Sequence, residues 1–150
     1  PRAALLLDLE WPRGRPGAKE PLVVTGEPGR GDFVAVEYLD ADGTVRFLFD
    51  HWGGALQHSG PVRIAPGRRL RLRVAMESLR TPLPFRAPGN LVGGQLDLAV
   101  DGQSVWRVPG EFFVVNPVEI AIGRNPIGGT TCGPEFSGVI HRAEPERTRR

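Results

Sequence analysis

The chain has little of several residues that usually show how a small protein is held together. Of its 150 residues only one is cysteine, Cys132, so no intrachain disulfide can form and packing with strand pairing must hold the fold. There is no CxxC pair and no Cys/His cluster, so a zinc site has no ligand set. Lys19 is the sole lysine among 19 basic residues. Such arginine usage reads as coding bias, although arginine's planar fork also suits phosphate and carboxylate. A net charge of +2 argues against wholesale nucleic-acid binding. No apolar run is long enough to cross a bilayer, so direct membrane insertion is not expected. Nor does any stretch propagate as a helix, since the best candidate, residues 74–79, is too short and continues a strand pattern.

What the chain does have is 20 glycines, 15 prolines and alternating apolar runs, the profile of short strands joined by turns. Its length suits one domain with a core large enough to need no staple. Residues 3–9, 22–25, 33–39, 45–49, 62–64 and 69–74 read as strands. Asp40-Ala41-Asp42-Gly43 is a hairpin loop between two of them. In the strand over 96–100, Leu96, Leu98 and Val100 share one face by the period-2 rule. Asp101-Gly102 then supplies a tight turn, and Val105 and Trp106 begin the return strand. After a turn-rich gap, Val118, Ile120 and Ile122 repeat the alternation. Phe136, Gly138 and Ile140 share one face of a last strand, where the glycine lets a neighbour approach closely. Residues 78–94, rich in proline and glycine, read as a long crossover loop. The ordered domain is expected to span 1–141, with 142–150 a flexible basic tail or linker. The chain begins at Pro1 rather than methionine, as a processed or excised segment would, so a signal peptide or anchor would lie outside it.

The hairpin Leu98 to Gly102, the pair Ile122-Gly123 and the closing Phe136 to Ile140 together resemble the laminin-G-like and concanavalin-A-like lectin/glucanase superfamily. Upstream, DFVAVEYLDADGTVRFLFDHWGG is similar to that family's paired central strands. The resemblance implies an all-β fold: an antiparallel jelly-roll β-sandwich of two packed sheets. It also implies an extracytoplasmic setting, secreted or in the cell envelope. The glucanase branch carries an E-x-D-x-E strand whose alternate carboxylates act on a glycosidic bond. That triplet is missing here, and Glu37 and Asp40 have the wrong spacing to point together along a strand. His51, His58 and His141 come with no nucleophile elbow. No catalytic residue is assigned, and the expectation is a non-enzyme, with a glycan-active hydrolase of unrecognised site as the weaker alternative.

The densest polar and aromatic cluster is Asp50-His51-Trp52-Gly53-Gly54, at a strand end. Trp52 offers a flat face on which a sugar ring can stack, while Asp50 and His51 could hydrogen-bond hydroxyls. The competing reading has Trp52 capping the core and His51 solvated. Arg124 and Asn125 open a second loop, whose Gly128-Gly129-Thr130-Thr131 segment allows close backbone approach. The candidate ligand-binding residues are therefore Asp50, His51, Trp52, Arg124 and Asn125. No cofactor is assigned. Asp32, Asp50, Asn90 and Asn125 could donate oxygens to calcium, but no spaced acidic loop is present. Arg69, Arg71 and Arg73, with Arg46 near them, could bind sulfated glycans as some laminin-G-like domains do, or simply form a solvated sheet face. Arg30-Gly31-Asp32 spells an integrin-recognition tripeptide, which an arginine- and glycine-rich chain produces readily by chance. The expected function is a noncatalytic recognition or spacer module whose partner is a glycan, or alternatively a structural domain whose partner is another protein domain.

Overall fold

The computed structural model describes residues 3–80 and 87–147. Within them, strands form two antiparallel sheets. The first contains β1 (Ala4–Glu10), β7 (Arg69–Ala75), β8 (Leu91–Val100), β9 (Gln103–Phe113) and β11 (Val139–Pro145), in the order β11-β1-β7-β8-β9. The second contains β2 (Lys19–Glu27), β3 (Arg30–Tyr38), β4 (Thr44–His51), β5 (Gln57–His58) and β10 (Ile120–Ile122), in the order β10-β2-β3-β4-β5, with β6 (Val62–Arg63) also paired to β4. The chain changes sheet after β1, β6, β9 and β10, so each sheet is built from distant segments.

Alternation explains why the sheets face one another. Leu5, Leu7 and Leu9, then Leu70, Leu72 and Val74, then Leu96, Leu98 and Val100 line the inner face of the first sheet. Val34, Val36, Tyr38, Val45, Phe47 and Phe49 line that of the second. Phe49 and Phe112 meet across the gap with ring centroids 5.2 Å apart. Each large apolar side chain buried this way stabilises the fold by about 1.5–3 kcal/mol. At one end Trp11 closes the core against Tyr38 and Phe136.

The two outer faces differ. On the first sheet, Arg71 pairs with Asp8 at 3.1 Å, Arg73 with Glu146, and Arg107 with Asp97 at 3.0 Å. Two of the three arginines in the β7 row, Arg71 and Arg73, are thus held in ion pairs on the outer face. Arg46 does not join it: it lies on the other sheet, paired with Glu37 at 2.6 Å. On the second sheet, the loop over residues 123–138 folds down across the strands. The amide of Gly133 donates to the Lys19 carbonyl, and the amide and hydroxyl of Ser137 donate to the Glu20 carboxylate. Val24, Phe33 and Ile127 make a small second core beneath this loop, with Trp52 and Cys132 packed against it. Covered on both sides, β3 is buried almost continuously rather than alternately.

Several local expectations change. The turn-rich gap after Trp106 is shorter than expected, because Pro109 and Gly110 lie inside β9. That strand is at the sheet edge, where proline's missing donor is tolerated. Gly93 and Gly94 belong to β8, so the long loop ends at Asn90, and its residues 81–86 lie outside the described residues. Val118 is not in a strand. It sits 87% exposed in a 3-10 turn, Pro117–Glu119, which the Asn116–Glu119 capping box stabilises. Phe136 and Gly138 precede the last strand rather than sharing it. β11 also runs past His141: Arg142, Ala143, Glu144 and Pro145 pair with Asp8, Leu7, Leu6 and Leu5, because β1 offers its free side to them. The expected tail therefore contributes four residues of ladder. Both hairpin loops form as read: Asp40 Oδ1 accepts the amides of Asp42 and Thr44, and Asp101 and Gly102 turn at φ 49° and 84°.

Candidate functional site

The end of β4 carries two different constellations, one on each face of the second sheet, because successive side chains point to opposite sides. Val45, Phe47 and Phe49 point into the sandwich, and His51 follows the same parity. Asp50 and Trp52 point outward, beneath the loop over 123–138.

On the inner face His51 is fixed rather than solvated. Its Nδ1 lies 2.7 Å from Asp32 Oδ1, and its ring stacks on Phe113 with centroids 4.3 Å apart. The other oxygen of Asp32 accepts the Ser78 hydroxyl at 2.6 Å and the Phe113 amide at 2.8 Å. Asp32 is 0% exposed. Burial raises its carboxyl above the usual carboxylate range, against the opposing pull of the Ser78, Phe113 and His51 donors. The residue types are those of a hydrolytic triad, but the order differs. The carboxylate sits in the middle and Ser78 donates to it, so no imidazole faces the serine oxygen as a triad requires. This cluster ties β3 and β4 of one sheet to β9 and the Glu77–Leu79 turn associated with the other. It also removes Asp32 from any surface tripeptide.

On the outer face Asp50 Oδ2 accepts the Thr131 hydroxyl at 2.6 Å. Trp52 lies against Phe33, with centroids 5.8 Å apart at 35°, and its indole touches the space beside Gly129. A Cβ on Gly129 would come within 3.3 Å of that ring, and φ there is 79°, so glycine lets loop and tryptophan meet. Phe33, Asp50, Trp52, Gly53, Gly54, Gly129, Thr130 and Thr131 line an open cleft of about 290 Å³. It offers an aromatic surface, one carboxylate and two hydroxyls, a combination suited to a hydroxylated ring.

The five expected residues therefore separate. Asp50 and Trp52 share the cleft; His51 faces the opposite way. Asn125 shapes the loop: its side-chain oxygen accepts the amides of Ile127 and Gly128, and its amide donates to the Gly128 carbonyl. Arg124 is exposed, bridges Glu135 through its backbone and does not line the cleft. The oxygen donors considered for calcium do not converge, since Asp32 and Asp50 occupy opposite faces. No group of three or more His, Cys, Asp or Glu side chains among the described residues could hold a metal ion. Phe33 and the Thr131–Asp50 contact are additions the sequence did not show. The inward turn of His51 was readable from the parity of Val45, Phe47 and Phe49. Cys132 stays half-buried beside this site, and burial pushes its thiol up to about 11, aided by the charge of Asp50 and opposed by Asn125.

No protein-family profile matches the chain, and no curated protein sequence matches it. Among solved structures the chain is similar to the native heptameric SAP-like pentraxin from Limulus polyphemus, with a TM-score of 0.55 at 13% identity. The likeness covers 96% of this chain and spans 63% of the pentraxin chain. At that identity it is the fold that is shared: an all-β, concanavalin-A-like jelly-roll sandwich.

Proposed function

We propose that this jelly-roll domain is a noncatalytic recognition module that binds a glycan in the cleft between the end of β4 and the loop over 123–138. The observation that carries the reading is the placement of Trp52, Asp50 and Thr131 around one open cavity on the outer face of the second sheet. A sugar ring's C–H face would stack on the indole, while the free oxygens of Asp50, Thr130 and Thr131 would take its hydroxyls. The site is amended accordingly: Asp50 and Trp52 as contacts, Asn125 as the residue that holds the loop, and His51 as an anchor behind them. A lectin-type fold supports the reading in kind, and an extracytoplasmic setting goes with it. Because the chain spans only part of the pentraxin's length, the module could serve a larger protein.

The test is a glycan-array screen of the folded domain with and without calcium, repeated with Trp52→Ala. Trp52 also packs on Phe33, so the variant is expected to lose about 2 kcal/mol of stability while remaining folded. Selective binding that disappears in this folded variant supports the assignment. Binding that persists moves the site elsewhere. A folded wild-type domain that binds no glycan favours the alternative, a structural or protein-interaction domain.

A further inference from the structure

We propose that the cleft ranks glycans by charge, taking an amine-bearing sugar ring ahead of an uncharged one and excluding rings that carry carboxylate, sulfate or phosphate. The inference rests on the glycan reading above and specifies its ligand class. Several carboxylates elsewhere are matched: Asp8, Glu37, Asp97, Asp101 and Glu146 each face an arginine, and Asp32 faces His51. Asp50 is the one ionisable side chain lining the cleft, and among the described residues no arginine, lysine or histidine pairs with it. One of its oxygens accepts the Thr131 hydroxyl, and the other is left to a ligand. Beside it stands the indole of Trp52, whose π face attracts cations and repels anions.

The nearby cations are engaged or turned away. Arg46, four residues back on the same face, is paired with Glu37; His51 is held by Asp32 on the opposite face; Arg124 lies outside the lining. Backbone amides could also cradle an anion, and two successive glycines with positive φ invite the thought. Several of those amides are already committed. Ile127 and Gly128 donate to Asn125 Oδ1, Trp52 to the Gly31 carbonyl and Gly54 to the His51 carbonyl. The small positive charge of the whole chain would draw polyanions weakly to its surface, so selection against them must come from the cleft itself.

The test compares three β-1,4-linked oligosaccharides of equal length by calorimetry: a glucosamine oligomer in mildly acidic buffer that protonates its amines, its N-acetylated counterpart, and a glucuronic acid oligomer. The amine form is expected to bind about tenfold more tightly than the N-acetylated form, with the uronate showing no binding. Asp50→Asn, which can still accept from Thr131, is expected to bring the first two within about twofold of each other. Uronate binding as tight as the others, or an amine preference that survives Asp50→Asn, overturns the charge ranking while leaving the glycan reading in place. Failure of all three to bind the folded protein overturns both.

Discussion

At the scale of single residues, Asp32 does the most to unite the molecule. It joins His51, Ser78 and the Phe113 amide inside the sandwich. Ser78→Ala removes a buried hydroxyl donor and is expected to cost about 1–3 kcal/mol in chemical denaturation. The Asp32 carboxyl is raised by burial above its ordinary 3.8, so the folded state holds this proton more tightly than the unfolded chain. Its contribution to stability is then fully present below 3.8 and is lost as pH rises through the folded-state value. Unfolding curves of wild type and Asp32→Asn should show the wild type's relative stability falling as pH increases through that window. A difference that is flat with pH would mean the carboxyl titrates as an exposed one. Cys132 makes a separate prediction. With its thiol at about 11, native protein should be alkylated slowly at neutral pH and rapidly once unfolded.

At the scale of elements, the closing strand and the loop before it decide the most. Strand β11 covers β1, and the Glu146 amide donates to the Ala4 carbonyl just beyond it. A variant ending at His141 should melt well below one ending at Arg147, because it strips ladder partners from Leu5 to Asp8 and leaves that part of β1 as an edge. Equal melting temperatures would return residues 142–147 to the role of a tail. Gly138 sits where the loop meets β1. A Cβ there would lie 2.5 Å from the Glu10 carbonyl oxygen and equally near the Phe136 ring. Gly138→Ala should therefore destabilise by about 2 kcal/mol or more, whereas Gly60→Ala, with nothing within 4 Å, should be nearly neutral. The close approach expected of this glycine is real, its neighbours being the Glu10 carbonyl at the end of β1 and the Phe136 ring.

At the scale of the whole molecule, the fold is held by one interior with a smaller core under the outer loop. With a single free cysteine and no converging metal-ligating cluster among the described residues, stability should be independent of reductant and of chelator. Melting curves with and without each should superimpose; a drop with chelator would reveal a cation site built from residues that do not converge here. No helix of the described residues is long and apolar enough to cross a membrane. The two outer faces suggest a division of labour. The ion-paired face of the first sheet presents balanced charge to solvent, while the second sheet presents the cleft.

The sequence by itself determined the all-β class, the inward face of β8 and both hairpin turns. Those features depend on period-2 alternation and on residues that tolerate positive φ, and both are local properties. The Asp50 and Trp52 pairing across one residue was legible for the same reason, as was the inward parity of His51. What only the tertiary structure decided was which distant segments meet. Thr131 reaches Asp50 across 81 residues, as Phe113 reaches Asp32, and β11 returns to β1 from the far end of the chain. Those contacts follow from the order of strands in the sheets and from a loop that buries Ile127 on an outer face. No local pattern encodes either one, because the partners are chosen by crossovers between sheets rather than by neighbours in sequence.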